Sequence, residues 1–329
     1  MTLKPLFVSL FIMPLFAMTA CAKEPATSAD SNGVPQTRSN LSADEQQQLN
    51  DFLAQQKENM RFIEGGSYEM GDFGHKLDWT GGLPISSEYD SKPLHPVTLD
   101  SFSMNAYKAT YDDFDTYSMA TGKPREGMQD YAVELHQPTA AAGVNWQTAQ
   151  HYCQWLGQQL DVPMSLPTEA QWEYAARNRG EYVLFPTDNG KVDAGRNIAT
   201  FEQQKELRQK YNTGFMDVPL VGMFPPNPLG LYDLINQNYE WTMDWYAADY
   251  YERSPELNPK GPEIGTEKVV RSLSTGEGGA DNIRLGIGPV TVLRSNRLPD
   301  PPLIDNDPRM NQNRNTSSRC VANSLKPLS

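Results

Sequence analysis

The sequence contains few residues of the kinds that bind transition metals or attack substrates. Only three cysteines and four histidines occur in 329 residues. The patterns H-E-x-x-H, G-x-S-x-G, G-x-x-x-x-G-K-[ST] and C-x-x-C are all absent. These absences argue against a zinc protease, a serine hydrolase of the G-x-S-x-G type, a P-loop nucleotide site and a dithiol redox site.

The chain also lacks an apolar run at its N-terminus that is long enough for a membrane anchor. The run from Leu6 to Met18 falls short of the about 20 residues that span a bilayer. It follows Lys4 and ends in a sequence that resembles a bacterial lipobox, so residues 1–20 are predicted to be a lipoprotein signal peptide with Cys21 as the lipidated residue. An ordinary signal peptide remains the alternative. The residue after Cys21 is alanine and not aspartate, which favours a periplasm-facing lipoprotein of the outer membrane.

The composition divides the rest of the chain into three segments. Residues 21–40 contain one valine and no leucine, isoleucine or aromatic residue, and they are predicted to be a flexible tether. An S-x-x-E capping pattern at residues 42–45 predicts a short amphipathic helix within 41–60. Residues 61–329 show no second linker and no repeat, which indicates a globular domain.

Acidic residues exceed basic ones, with 41 Asp and Glu against 28 Lys and Arg and a net charge of −13. This balance argues against nucleic acid and anionic lipid headgroups as partners. A protein partner with a basic face is the better match.

Two amphipathic helices are predicted near the middle of the chain. Asn145 is a suitable N-cap for the first, and Thr168 with Gln171 forms a capping box for the second. Glu173 and Arg177 are spaced as an i,i+4 ion pair. The pattern indicates helices packed on a core and no particular chemistry.

The cysteines predict a disulfide. If Cys21 carries lipid, Cys153 and Cys320 remain as an even pair in an oxidising compartment.

Several long segments resemble the formylglycine-generating enzyme (sulfatase-modifying factor) family and follow the family's order. They are FIEGGSYEMG (62–71), HPVTLDSFSMNAYKATYDDFDTY (95–117), VNWQTAQHYCQWLG (144–157), LPTEAQWEYAAR (166–177), PPNPLGLYDLINQNYEWTMDWY (225–246) and SSRCVA (317–322). The resemblance implies one α+β domain of C-type-lectin-like fold that is rich in loops and holds a disulfide between Cys153 and Cys320. The 25 prolines and 24 glycines agree with a loop-rich fold.

The family's enzymes, by this resemblance, oxidise a cysteine on a sulfatase segment with copper held by two cysteines after an R-G-G-S-W stretch. Residues 270–275, VRSLST, stand in that place, and no cysteine occurs between Cys153 and Cys320. Copper(I) requires soft sulfur ligands, and the remaining sulfur in this region belongs to Met310. A second branch of the superfamily uses a three-histidine iron site, which His75, His95, His136 and His151 do not match in spacing. The sequence therefore predicts a protein that is not an enzyme and has no catalytic cofactor.

The resemblance also implies structural calcium at two places. Asn197, Ile198 and Phe215 match positions of one site, where Thr213 replaces an aspartate of the family. Glu240 matches a position of the other site.

The leading hypothesis is a non-catalytic envelope lipoprotein that binds another protein. Family analogy suggests an immunity protein against a periplasmic toxin of type VI secretion, or a scaffold or regulator of a secretion or motility machine. The residues predicted to face the partner lie at the end of a strand and in the following turn: Arg271, Ser274, Thr275 and Glu277.

The alternative is an enzyme with a rebuilt site that uses no copper. Its candidate nucleophiles and base are Ser272, Ser274, Thr275 and Glu277 near Arg271. Its candidate anion-binding residues are Arg284, Arg294 and Arg297.

Overall fold

A computed structural model describes residues 29–31, 33–128, 133–214, 216–235, 238–272, 290–300 and 315–328. The described residues form five α-helices and ten β-strands, which confirms the α+β class. The helices are α1 (Ala43–Glu58), α2 (Tyr111–Thr121), α3 (Trp146–Leu160), α4 (Glu169–Ala176) and α5 (Phe201–Tyr211). The strands are β1 (Met60–Ile63), β2 (Gly66–Met70), β3 (His95–Leu99), β4 (Phe102–Asn105), β5 (Met164–Ser165), β6 (Tyr239–Trp245), β7 (Lys268–Arg271), β8 (Ser295–Arg297), β9 (Thr316–Ser317) and β10 (Val321–Ala322).

The strands form three small sheets. One has the order β1-β4-β10-β5 with antiparallel neighbours, and another pairs β2 with β3. The third has the order β8-β7-β6-β9, in which β6 and β9 are parallel and the other pairs antiparallel. In this sheet Glu240 lies opposite Arg271, so both residues sit at the same end of the β6–β7 pair.

Side-chain caps fix where the helices begin. Ser42 and Glu45 form a complete capping box at α1, and Asn145 accepts a hydrogen bond from the amide of Thr148 at α3. Thr168 caps α4 together with Gln171, as predicted. The capping residues identified in the sequence therefore locate these three helix starts.

The prediction of a flexible tether over residues 21–40 is wrong for residues 33–40, which pack on the core. Val34 is 2% exposed, and Trp155 Nε1 donates to the hydroxyl of Thr37 at 3.0 Å.

The N-terminal helix and the disulfide both tie distant parts of the chain to the core. Leu49 of α1 is buried, and Phe52 stacks on Trp155 of α3 with ring centroids 6.0 Å apart. Cys153 of α3 is joined to Cys320, which lies next to β10, and both residues are buried. Within the described part of the chain, no helix has the length and apolar character that crossing a membrane requires.

Candidate functional site

Arg271, at the end of β7, points into the interior of the protein. Its guanidinium donates from Nη1 to Glu169 Oε1 at 2.9 Å and to Glu173 Oε2 at 3.1 Å. Nη2 donates to the carbonyl oxygen of Thr291 at 2.7 Å. The side chain is fully buried. It therefore joins β7 to both carboxylates of α4.

Two further arginines complete this arrangement, which we call the buried ion cluster (Glu169, Glu173, Arg177, Arg271 and Arg294). Arg294 binds both oxygens of Glu169, at 2.7 and 2.9 Å. Arg177 Nη1 lies 2.8 Å from Glu173 Oε1, so the predicted i,i+4 pair forms, but in the interior. Burial alone would raise the pKa of Glu169, yet the guanidinium groups of Arg294 and Arg271 hold it below its usual value.

A third carboxyl group next to the cluster forms no ion pair with any of the described residues. Asp244 of β6 is buried and accepts a hydrogen bond from the backbone amide of Glu169 at 2.8 Å. Burial and the charge of the Glu169 carboxylate raise the pKa of Asp244 to about 7. The interior beside β7 thus contains one titratable acid whose pKa lies near neutrality.

The prediction that Arg271 faces a partner is wrong. Three buried partners hold its side chain, so its charge is paired inside the core and does not reach the surface. Ser274, Thr275 and Glu277, predicted to line the same surface, lie outside the described residues.

The alternative enzyme site is not assembled by the residues that the structure describes. Arg294 is engaged by Glu169, and Arg297 donates to Asn315 at 3.1 Å while lying 4.5 Å above the ring of Tyr239. Ser272 is buried, and its hydroxyl forms no hydrogen bond within the described part. Neither arginine is therefore available to an anionic substrate. Arg284, the remaining anion-binding candidate, lies outside the described residues.

Glu240 belongs to a second buried ion pair, and the calcium prediction for it is wrong. Arg319 binds its two carboxylate oxygens at 2.7 and 2.9 Å, and Trp172 Nε1 donates to one of them at 3.2 Å. Burial would raise the pKa of Glu240, but Arg319 and Lys108 lower it. A carboxylate held in this way is not available to a calcium ion.

The turn that contains Asn197 and Ile198 is held by hydrogen bonds within the chain, and calcium binding there stays a prediction. The side-chain oxygen of Asn197 accepts the amide of Asp193 at 2.8 Å, and the carbonyl of Ile198 accepts the amide of Gly195 at 2.7 Å. The nearby carboxylates of Asp188 and Asp193 both pair with Arg196, at 2.6 Å. Thr213 donates its hydroxyl hydrogen to the carbonyl of Met216, and Phe215 lies outside the described residues.

The histidines contact separate parts of the protein. His95 packs on Tyr251, His136 binds Asp115, and His151 contacts Gln147. No group of three or more His, Cys, Asp or Glu side chains within the described ranges is placed to hold a metal ion.

A cavity of about 370 Å³ opens beside the start of α4. Thr168 and Gln171 line one side, and Asp100 and Asn258 line another. The polar side chains largely satisfy one another, since Asn258 donates to Asp100 at 2.9 Å and Gln171 donates to Asn323 at 3.0 Å. This cavity has room for a side chain of another molecule and contains no nucleophile paired with a base.

Sequence reasoning missed Glu169 and misplaced its partners. It treated Glu173 and Arg177 as an ordinary helix pair and Arg294 as an anion-binding residue. A usable signal was the composition of α4, EAQWEYAA, in which two carboxylates stand among alanine and aromatic residues. Charges in such a helix are often buried and paired.

Comparisons with known proteins agree with this fold. The sequence model of the sulfatase-modifying factor enzyme 1-like domain matches residues 45–287. The mouse formylglycine-generating enzyme is 30% identical over 226 residues, a match that covers 55% of this chain and 59% of the mouse protein. This chain therefore spans less than two thirds of that relative.

One further relative by sequence and one solved structure also resemble this chain. A bovine protein named inactive C-alpha-formylglycine-generating enzyme 2 is 36% identical over 106 residues, covering 32% of this chain and 33% of its own. The structure of PvdO from Pseudomonas aeruginosa superposes with a TM-score of 0.54 at 23% identity, covering 80% of this chain and 93% of PvdO. The fold, the ordered motifs and the domain match place this chain in the sulfatase-modifying factor enzyme 1-like (FGE-sulfatase) family.

Proposed function

We propose that this chain is a non-catalytic member of its family that acts by binding another protein. The observation that carries the proposal is the state of its cysteines. Cys153 and Cys320 are joined in a buried disulfide, and no other cysteine follows Cys21 in the sequence. The domain consequently has no pair of thiolates with which to hold copper(I).

The end of β7 supports the same proposal. Arg271 is bound within the core, and Arg294 and Arg297 are engaged by other residues, so none of these three described arginines is left to orient an anionic substrate. The family also has an inactive relative by name, the bovine protein described above.

We further propose that the protein works in the bacterial envelope, as a periplasm-facing outer-membrane lipoprotein anchored through lipid on Cys21. The buried disulfide supports an oxidising compartment, where such bonds persist. The partner is then either a periplasmic toxin, which this protein neutralises, or a component of a secretion or motility machine. The net charge of −13 favours a partner with a basic face in both cases.

Membrane fractionation of the wild type and Cys21→Ser tests the compartment. We expect the variant to leave the membrane fraction and remain in the periplasm. Unchanged membrane association would contradict lipidation at Cys21.

In-cell crosslinking followed by binding of the purified components tests the partner. The expected result is one periplasmic protein that crosslinks in the cell and binds again when both proteins are pure. Turnover of a substrate by the purified chain, with no protein partner found, would favour the alternative of a rebuilt enzyme.

A further inference from the structure

One surface loop exposes three large apolar side chains. The loop, which we call the apolar loop, comprises residues 74–89. Trp79 is 68% exposed, Leu83 66% and Tyr89 87%. Tryptophan and tyrosine are the residues most often found as anchors at protein interfaces, so this loop differs from an ordinary polar surface turn.

A buried carboxylate holds the apolar loop in shape. Asp72 is 4% exposed, and its oxygens accept the backbone amide hydrogens of Gly74, Ile85 and Ser86 at 2.8 to 3.0 Å. These three amides come from the beginning and the end of the loop. Asp72 therefore ties the two sides together.

The two sides of the loop also approach each other closely. A Cβ added at Gly74 would lie 2.3 Å from the carbonyl oxygen of Leu83, a distance that no side chain can occupy. The hydroxyl of Thr80 lies 2.7 Å from the carbonyl oxygens of both Gly74 and Leu77 and shares its one hydrogen between them. The loop is thus ordered before any partner binds, which reduces the entropy lost on binding.

The charges around the loop are mainly negative. Asp78 and Glu88 are exposed and form no ion pair within the described part of the chain. Lys76 is paired with Glu69 at 2.8 Å, whereas Lys92 donates to the carbonyl oxygen of Ser86, lies 5.4 Å from the ring centroid of Tyr89 and keeps its positive charge. A partner surface that covers the apolar side chains would meet uncompensated carboxylates at the edge.

We propose that the apolar loop is the docking surface for a partner protein, and that this partner offers an apolar pocket bordered by lysine or arginine. The inference rests on the proposed function, since it names the surface through which that binding occurs. Trp79, Leu83 and Tyr89 enter the pocket, while Asp78 and Glu88 attract its basic edge. Charged groups at an interface edge mainly affect the association rate and its salt dependence.

The first experiment locates the partner on the surface. A photo-crosslinking amino acid is placed in the full chain at position 79, 83 or 89, and in control proteins at position 257, 264 or 325. The controls replace Leu257, Ile264 and Leu325, which are 63%, 85% and 71% exposed. We expect one protein adduct from the loop positions and none from the controls.

The second experiment measures the affinity of the purified partner for three forms of this protein. Trp79→Ser combined with Leu83→Ser and Tyr89→Ser should weaken binding at least about 30-fold, because anchoring aromatic residues commonly have effects of this size. The matched control with serine at 257, 264 and 325 should bind within about 3-fold of the wild type. Asp78→Asn with Glu88→Gln should slow association and flatten its salt dependence.

The outcomes separate the inference from the function on which it rests. A purified partner that binds the loop variant as tightly as the wild type overturns the docking surface and leaves the proposed function standing. Adducts to lipid only, or loop-dependent binding to phosphatidylethanolamine vesicles without a protein adduct, would assign the loop to a membrane surface and overturn the inference. Failure to find any protein partner would overturn both proposals.

Discussion

The interior beside β7 and the apolar loop distribute their side chains in opposite ways. The buried ion cluster places two carboxylates and three guanidinium groups where apolar residues are usual, and the loop places Trp79, Leu83 and Tyr89 in solvent. Charges are rarely buried unless they are paired, whereas exposed clusters of large apolar residues often mark interaction sites. The first region is therefore structural, and the second is the better candidate for binding.

The two regions are also physically connected. The guanidinium of Arg177, a member of the buried ion cluster, lies 4.4 Å from the ring centroid of Phe73. Phe73 directly follows Asp72, the residue that holds the apolar loop. Among the described residues, the side chain of Asp72 forms hydrogen bonds with loop amides and none with the cluster. The buried ion cluster supports the base of the loop by packing. A variant in the cluster should lower the stability of the whole domain, whereas a variant in the loop should act mainly on the loop.

Glu169→Gln should produce the largest loss of stability. It removes the charge that neutralises Arg294 and Arg271 in the interior, and loss of one member of a buried pair costs about 3–5 kcal/mol. Urea unfolding measures the change in the free energy of unfolding. Glu202→Gln, which affects an exposed pair with Lys205, is the matched control and should leave stability nearly unchanged. A cost below about 1 kcal/mol for Glu169→Gln would mean that the cluster is not structural.

Cys153→Ala combined with Cys320→Ala should have a somewhat smaller effect. The disulfide joins residues separated by 167 positions, and loss of such a crosslink typically costs about 2–5 kcal/mol. This cost in the free energy of unfolding is measured by unfolding the oxidised wild type, the reduced wild type and the double variant. Equal stability of oxidised and reduced protein would show that the crosslink contributes nothing.

The pH dependence of the free energy of unfolding tests whether the pKa of the buried Asp244 is raised. Since its folded pKa of about 7 exceeds the usual aspartate value of 3.8, the folded state binds more protons than the unfolded state between about pH 4 and 7. The stabilisation is complete below this window and is lost as the pH rises through 7. Compared with Asp244→Asn, the wild type should lose on the order of 2–3 kcal/mol between pH 5 and 7.5 in urea unfolding. Parallel pH profiles for the two proteins would contradict the assignment.

Gly74→Ala should have the smallest effect on global stability and a local effect on the apolar loop. The new Cβ would meet the carbonyl oxygen of Leu83, so the two sides of the loop must separate. We expect a cost of about 1–3 kcal/mol, because the atoms that the new Cβ meets are backbone atoms that must move, and loss of hydrogen-exchange protection at the amides of Ile85 and Ser86. Retained protection would show that the loop does not need this close approach.

The local features of the fold could be predicted from the sequence, because caps act over three or four residues. Ser42, Asn145 and Thr168 mark the starts of α1, α3 and α4 as expected. The buried ion cluster could not be predicted in this way, since Glu169 meets Arg271 and Arg294 across 102 and 125 residues of sequence. The family motifs conveyed the fold but gave no indication of which charges are buried.

The apolar loop was missed for a related reason. Its sequence, from Gly74 to Tyr89, shows no periodic pattern, and isolated apolar residues in a glycine-containing turn carry no clear meaning. The structure shows that Asp72 fixes these residues in an ordered loop with their side chains in solvent. The exposure of a loop residue depends on such long-range hydrogen bonds and packing, which periodicity does not report.

We propose that this domain does not oxidise cysteine with copper. The most direct measurement incubates the purified protein, with its disulfide intact, with copper(I), oxygen and a cysteine-containing sulfatase peptide. Copper bound per chain is then quantified, and the peptide is analysed by mass spectrometry. We predict no stoichiometric copper and an unmodified peptide, because the domain offers no thiolate pair. One copper per chain together with conversion of the peptide cysteine to an aldehyde would contradict the account.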